Sequence, residues 1–118
     1  MDRDTRTGPG SGITCHHGEE GTYLTLWGEI DAALRGPASE AMASLAARPA
    51  PRPIAVDTRD VSFIDSSGIA FVLQVYMLGQ ETGAPVSLVA PSQAVSEVLE
   101  MVGMGGRIPV VEASTGSR

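Results

Sequence analysis

The chain has 118 residues and a formal net charge of −6 at pH 7, with 42% hydrophobic and 19% charged residues. That length is typical of one domain, and the composition is typical of a globular protein rather than a disordered one. The negative charge disfavours broad binding to nucleic-acid phosphates. All basic residues are arginine, so the chain has no lysine for a Schiff base or for a P-loop.

The features that bear on location are a single cysteine, Cys15, and the lack of any long apolar run. One cysteine forms no internal disulfide, and no stretch approaches the ~20 apolar residues that cross a bilayer. Residues 1–12 are polar and lack the apolar centre of a signal peptide. We therefore expect a cytoplasmic protein with a flexible tail over residues 1–12, a domain over residues 13–112 and a C-terminal tail over residues 113–118.

The first elements form a predicted hairpin followed by a helix. Residues 13–17 and 23–30 are extended runs separated by the turn signal Gly-Glu-Glu-Gly. After Asp31 the apolar period becomes helical, with one stripe formed by Ala38, Ala41, Met42 and Leu45. The proline-rich run over residues 48–53 ends this helix.

A buried strand and a central helix follow. The pattern predicts a strand over residues 54–57, with a less regular extended segment toward Phe63. From Gly68 onward two apolar stripes share one helix, which indicates that much of its circumference is covered. Gly79 and Gly83 bracket the predicted end of the helix.

Three more elements complete the predicted order. Residues 85–90 read as a strand, Ser92 is a suitable N-cap for another helix, and residues 108–111 read as an edge strand. The order is therefore β-β-α-β-α-β-α-β. Strands that alternate with helices favour an α/β fold with a mixed, mostly parallel sheet, entered here by one hairpin.

The strongest candidate for a functional site is the segment FIDSSGIAF, residues 63–71, where a predicted strand ends and a helix begins. Aspartate and serine are preferred N-caps, so Asp65, Ser66 and Ser67 are all candidates to satisfy free N–H groups of the helix, the two serines above all. A second interpretation is that one hydroxyl is a phosphorylation site, because a helix N-terminus favours an anion. Spacing alone favours the capping interpretation.

Two other sites are weaker. Residues 64–68 partly resemble the nucleophile elbow of serine hydrolases, but the leading glycine is absent and both histidines lie far upstream. Cys15, His16 and His17 suggest metal or thiol chemistry, yet neighbours on a strand face opposite ways and only Cys15 and His17 share a side. We interpret this run as a surface-leaning strand and expect neither a metal nor a catalytic site.

Two segments together carry a family resemblance. DVSFIDSSGIAFVL, residues 60–73, and WGEID, residues 27–31, resemble the STAS-domain anti-sigma factor antagonists of bacteria. Those proteins have an Asp-Ser-Ser-Gly turn that opens the second helix and a Gly-Glu-(Leu/Ile)-Asp segment that closes an early strand. The resemblance extends over about residues 13–111 and includes the order of elements.

The resemblance implies a partner switch without enzymatic activity or cofactor. The unphosphorylated antagonist binds an anti-sigma factor that is a serine kinase with a histidine-kinase-like ATP pocket, and the sigma factor is released. The kinase then phosphorylates the first serine after the aspartate, which is Ser66 here, with Ser67 as the second choice. A metal-dependent serine phosphatase reverses the modification. The implied partner-binding residues are Glu29, Asp31, Asp65, Ser66, Ser67 and Gly68.

The sequence departs from the family near its C-terminus and leaves a second function open. Many relatives have a fourth, C-terminal helix, which we expect to be short or missing here. The alternative function is a STAS scaffold module that never cycles, in a stress-signalling or lipid-transport complex. For both functions we expect no direct contact with nucleic acid or membrane, and a monomer or a weak homodimer paired through an edge strand.

Overall fold

The computed structural model describes residues 10–48 and 51–112. Most of the predicted N-terminal tail and all of the predicted C-terminal tail lie outside these residues. The described elements are β1 (Gly12–His17), β2 (Thr22–Ile30), α1 (Arg35–Ala46), β3 (Ile54–Ile64), α2 (Ser66–Thr82), β4 (Val86–Val89), α3 (Gln93–Met101) and β5 (Val110–Val111). A single 3₁₀ turn, Ala32–Leu34, joins β2 to α1.

The five strands form one sheet in the order β1-β2-β3-β4-β5. Strands β1 and β2 pair antiparallel, whereas each later strand pairs parallel with its neighbour. The mixed, mostly parallel sheet and the order of elements are confirmed. All three parallel connections move across the sheet in one direction, so right-handed crossovers place the three helices on one face.

The core lies between that face and the helices. Leu24, Leu26 and Val56 of the central strands are completely buried, as are Val75 of α2 and Val95 of α3. Removing one such side chain from water stabilises the fold by about 1.5–3 kcal/mol. The burial alternates along β2 from Thr22 to Leu26, as expected for a strand with one covered face, and the alternation ends at Trp27, where the register with β3 shifts.

Element boundaries differ from the predictions in three places. Helix α2 begins at Ser66 rather than near Gly68. Strand β3 continues to Ile64 because β2 pairs with it that far, whereas β4 pairs only with its first four residues. The last strand has only two residues. Pro109 precedes it and has no N–H for the sheet, although its carbonyl oxygen accepts a bond from the Leu88 amide at 2.8 Å.

The face of the sheet opposite the helices carries a polar network that the sequence analysis missed. The Tyr23 hydroxyl donates to Asp57 Oδ2 at 2.6 Å, and Arg59 donates to both oxygens of that carboxylate at 2.7–3.1 Å. Asp57 is only 5% exposed. Burial alone would raise the pKa of its carboxyl, but the bonds from Arg59 and Tyr23 outweigh burial and lower that pKa.

The Asp57 network is expected to make stability depend on acid pH. Because the pKa of the folded state lies below that of the unfolded chain, its stabilisation is complete at neutral pH and is lost as the pH falls below about 4. Tyr23→Phe removes one bond to the carboxylate and is expected to cost about 0.5–1 kcal/mol at neutral pH. Urea denaturation at pH 7 and near pH 3 measures both effects.

Tyr76→Phe, on the half-buried side of α2, is the matched control for this substitution. The cost of Tyr23→Phe should shrink at the lower pH, while that of Tyr76→Phe should stay the same. An equal cost of Tyr23→Phe at both pH values would contradict the proposed bond to an ionised carboxylate.

Candidate functional site

Asp65 is the single residue that connects β3 to α2. Its backbone is extended, its Oδ1 accepts a hydrogen bond from the Gly68 amide at 3.1 Å, and its carbonyl oxygen accepts one from the Ile69 amide at 2.9 Å. Asp65 is therefore the N-cap. Of the three candidate caps, Asp65 is confirmed. The expectation for Ser66 and Ser67 was wrong, because an N-cap needs a non-helical backbone and both serines already lie inside the helix.

The first turn of α2 lies directly against the end of β2. The Asp65 amide donates to the Ile30 carbonyl oxygen at 3.2 Å. A Cβ added to Gly68 would lie 2.5 Å from that same oxygen and 2.7 Å from Ile64 Cγ1, which is closer than real contacts allow. Glycine at position 68 is thus required by close approach of the backbones, and this contact fixes the start of α2 beside the β2 end.

Asp31 follows Ile30 and caps the 3₁₀ turn. Its Oδ1 accepts a hydrogen bond from the Ala33 amide at 3.0 Å, and its carbonyl oxygen accepts one from the Leu34 amide at 2.9 Å. These bonds hold the aspartate at the turn that precedes α1. Since Ile30 contacts Gly68, the two segments of the family resemblance meet in the structure.

An open groove of about 470 Å³ lies between the beginnings of α1 and α2. Its apolar lining comes mainly from Ile13, Ile30, Leu34, Ala38, Met42 and Phe71, and its polar lining from Asp31, Arg35, Ser39, Ser67 and Gln74. The α1 residues in this lining were not predicted as site residues, because only the fold brings them beside α2. Regular helical spacing gave no signal that distinguished them from core positions.

The structure places the two serines differently. Both are exposed, but Ser67 lines the groove with Asp31, whereas Ser66 does not. Neither hydroxyl makes a hydrogen bond to residues 10–48 or 51–112, since Asp65 provides the cap. Both hydroxyls are thus available to an external partner.

Glu29 lies at the same end of the sheet but outside the groove lining. It is exposed on β2 and pairs in register with Phe63, which is 50% exposed. Its amide donates to the Ser11 hydroxyl at 2.8 Å. Of the predicted site residues, Asp31, Asp65, Ser67 and Gly68 therefore converge, and Ser66 and Glu29 extend the site onto the open surface.

The start of α2 can hold an anion. Within the described residues the amides of Ser66 and Ser67 have no partner, because the first bonds of the helix involve Gly68 and Ile69. Free amides and the helix dipole together favour negative charge at this position. Asp65 and Asp31 contribute negative charge at the same place, so an added phosphate would create a strongly anionic surface.

The histidines lie at the other end of the sheet. His17 pairs with Thr22, and Thr22 pairs with Ile54, at the opposite end of β3 from Asp65. Ten residues of strand correspond to about 33 Å. A histidine near Ser66, as a serine hydrolase requires, is therefore not formed by His16 or His17.

Cys15 and His17 share one face of β1, as predicted, and this face is half-buried against α1. His17 Nε2 lies 2.5 Å from Ser44 Oγ, and Nδ1 lies 2.8 Å from Thr22 Oγ1. Burial raises the pKa of the Cys15 thiol and lowers the pKa of His17, which Arg48 lowers further. No residue of β1 is fully buried, which agrees with a surface-leaning strand, but these two side chains have bonding partners in the fold.

Comparison with known proteins identifies the family. A family model described as "Mlab, STAS domain" matches residues 13–112. The chain belongs to the STAS family. None of the curated protein sequences compared with this STAS chain matches it. None of its described helices is long and apolar enough to cross a membrane.

Two solved structures share the STAS fold of this chain over most of their length. The anti-sigma factor antagonist SpoIIAA in its unphosphorylated form has a TM-score of 0.73 and 20% identity, covering 90% of this chain and 91% of SpoIIAA. RsbS of Moorella thermoacetica, in a variant with serine replaced by glutamate, has a TM-score of 0.66 and 14% identity, covering 85% and 86%. At these identities the likeness shows the fold.

Replacing Gly68 tests the contact between α2 and β2. Gly68→Ala is expected to destabilise the protein by about 1–3 kcal/mol, because the new methyl group overlaps the Ile30 carbonyl oxygen. Gly36→Ala in α1 is the control, since a Cβ there meets nothing within 4 Å and should change stability by less than about 1 kcal/mol. Urea denaturation measures both, and equal midpoints would refute the contact.

Replacing Asp65 tests whether this residue, and neither Ser66 nor Ser67, caps α2. Asp65→Ala is expected to cost about 0.5–2 kcal/mol, because the Gly68 amide loses its acceptor. Ser66→Ala and Ser67→Ala should each change stability by less than about 0.5 kcal/mol, as expected for exposed side chains without such a role. Thermal unfolding compares the three variants, and a larger loss for either serine than for Asp65 would identify that serine as the cap.

Proposed function

We propose that this STAS-family protein is an anti-sigma factor antagonist that exchanges partners and is switched by phosphorylation of Ser66. The observation that carries the proposal is the exposed Ser66 hydroxyl in the first turn of α2, free because Asp65 caps the helix. The likeness to SpoIIAA, described as an anti-sigma factor antagonist in its unphosphorylated form, supports the same function.

In this proposal the unphosphorylated protein binds an anti-sigma factor serine kinase, and the sigma factor is released. The kinase transfers the γ-phosphoryl group of ATP to Ser66 Oγ. The new O–P bond forms as the bond to the ADP oxygen breaks, and the hydroxyl proton is lost. A serine phosphatase later hydrolyses the phosphoester with water. The antagonist provides the acceptor and the binding surface, and the partners provide the catalytic groups.

Electrostatic repulsion explains why phosphorylation dissociates the complex of the antagonist with the kinase. The phosphate adds about −1.5 to −2 charges beside Asp65 and near the Asp31 turn. If the phosphate meets an acidic group of the partner, that pair of like unit charges at ~4 Å is repelled by about 4 kcal/mol at an effective dielectric of 20, an upper limit for an exposed site. A third of that energy weakens binding about tenfold. The free amides of the first turn stabilise the phosphate, so the domain itself stays folded.

The geometry favours Ser66 over Ser67 as the acceptor. Ser67 lines the groove beside Asp31, whereas Ser66 lies on the open side of α2. A kinase has to bring its ATP within bonding distance of the acceptor oxygen, and the open side offers that approach. Ser67 remains the second choice.

A STAS scaffold module that does not cycle is the second candidate function. The description of the matching family model, "Mlab, STAS domain", leaves this candidate open, because it names the domain and not an anti-sigma factor antagonist. The two functions differ in one measurable event, the phosphorylation of Ser66.

Phosphorylation and kinase binding test the proposed function together. The purified anti-sigma factor kinases of the source bacterium are incubated with ATP and with wild type, Ser66→Ala or the control Ser67→Ala. We expect one phosphate on wild type and Ser67→Ala and none on Ser66→Ala, as measured by intact mass. Calorimetry with ADP-bound kinase should show that Ser66→Ala binds and that Ser66→Asp binds at least about tenfold more weakly.

The outcomes separate the candidates. A phosphate on Ser66→Ala but not on Ser67→Ala would move the switch to Ser67. Wild type that binds a kinase but never accepts phosphate would favour the scaffold module. Equal binding of Ser66→Ala and Ser66→Asp would show that negative charge at this residue does not control the complex.

A further inference from the structure

A second cavity, of about 220 Å³, lies at the end of the domain opposite Ser66. It is bounded by the last turns of α1 and α2 and by the first residues of β2 and β3, and we call it the far cavity. Thr82, the last residue of α2, lies about 24 Å from Ser66 along the helix axis. The far cavity is therefore separate from the groove and from the proposed phosphoacceptor.

Two arginines and no described carboxylate line the far cavity. Arg48 follows the end of α1, and Arg52 lies two residues before β3. The other lining residues are apolar, apart from Thr22 and Thr82. The chain has 14 acidic residues and only 8 basic ones, so two cations without an acid make this cavity distinctly cationic.

The Arg48 guanidinium has no partner in the described part of the chain. Arg48 Nε is buried and makes no hydrogen bond to any described residue. No ion pair joins Arg48 to a carboxylate of residues 10–48 or 51–112. Burying an ionised group without a partner costs free energy, because the group loses its hydrogen bonds to water. Arg48 thus has a buried donor that a bound acceptor would satisfy.

A structural role at the helix ends does not account for the two arginines. Arginines near the end of a helix often bond to its last free carbonyl groups. The Arg52 guanidinium instead donates to the Glu19 carbonyl oxygen, in the turn between β1 and β2. The Arg48 side chain bonds to no carbonyl oxygen of the described residues. The remaining guanidinium donors are therefore available to a ligand.

We propose that the far cavity binds a small organic oxyanion, a carboxylate or a phosphate monoester with a short apolar chain. The oxyanion pairs with Arg48 and Arg52, because a guanidinium has parallel N–H donors that match the oxygens of either group. The cavity is smaller than the ~300–1,000 Å³ of sites for drug-sized ligands, so its ligand is small. Binding at this cavity is independent of the phosphorylation of Ser66.

The rest of the lining describes the body of the ligand. Leu45 and Ile54 are 6% and 5% exposed, and Leu78 is half-buried, so the arginines lie beside an apolar wall. The Thr82 hydroxyl donates to the Leu78 carbonyl oxygen at 2.9 Å, and its one donor is not available to an anion. The arginines therefore select the charged group, and the apolar wall selects the chain attached to it.

Amide NMR titrations of the whole chain at constant ionic strength test the site. The probes are n-butyl phosphate, n-pentanoate and inorganic phosphate, with n-pentanol as the uncharged control. We expect at least one of the two amphiphilic anions to bind with a Kd below about 1 mM. Saturable shifts should occur at residues 45–48, 52–54 and 78–84. Inorganic phosphate, which has no apolar chain, should bind at least about fivefold more weakly than n-butyl phosphate.

Substitutions of arginine test the charge. Arg48→Gln should weaken binding at least about tenfold. The matched control, Arg107→Gln, changes the net charge equally at an exposed arginine outside this cavity and should alter binding less than about twofold. Arg48→Lys keeps the charge without the paired donors and should bind with intermediate strength. The urea midpoint of Arg48→Gln should equal or exceed that of wild type, because no described group loses a bond to the Arg48 side chain.

The outcomes decide the proposal. Equal binding by Arg48→Gln and Arg107→Gln would overturn the site, and so would shifts confined to residues 66–69, which would place the anion at the start of α2. Lack of saturable binding by every anion, or equal binding of n-pentanol, would also overturn it. Selective loss in Arg48→Gln supports the site, and the more tightly bound amphiphilic anion identifies the charged group. None of these results bears on the phosphorylation of Ser66, so the two proposals are tested independently.

Discussion

The contact between Gly68 and the Ile30 carbonyl oxygen determines the geometry of the site. It brings the first turn of α2 so close to the end of β2 that a single added methyl group would overlap the backbone. The Asp65 amide bonds to the same oxygen. Because two backbone groups of one turn meet one carbonyl, the start of α2 cannot shift without breaking the sheet end. The position of the first turn of α2 relative to the Asp31 turn follows from this arrangement.

A division of roles follows from the same arrangement. Asp65 satisfies the helix amide that needs a side-chain partner, so Ser66 is not needed for folding. If a serine hydroxyl were the cap, phosphorylation would change the group that caps the helix. Here the modification can change the charge of a surface without changing the structure beneath it. That property suits a reversible switch between partners, and it explains why a cap and an acceptor occupy adjacent positions.

The sequence predicted the fold well because its main signals are local and periodic. The Gly-Glu-Glu-Gly turn before β2, the proline run after α1 and the Ser92 cap of α3 each define the boundary of an element from neighbouring residues. The length of β5 was harder to predict, because Pro109 limits its pairing with β4 and this pairing is known only from the structure. The family resemblance was confirmed by the matching STAS model.

The details of the site were less predictable, because they depend on distances between remote segments. Aspartate and serine are nearly equal as caps, and only the observed backbone shows that Asp65 is the cap and Ser66 already helical. The Tyr23–Asp57–Arg59 network joins two strands, and the groove joins two helices. Asp57 and Arg59 at alternate positions of a buried strand were the available signal for the network, since their side chains share one face.

The central claim is that phosphate enters a preformed helix terminus and leaves the fold unchanged. Amide NMR spectra and hydrogen exchange of the protein before and after stoichiometric phosphorylation of Ser66 test it most directly. We expect large shifts confined to the amides of residues 66–69 and the Asp31 turn, with exchange protection of α2 and β3 equal or higher after modification. Loss of protection along α2, or shifts spread across the sheet, would show that the switch works by unfolding and would contradict this account.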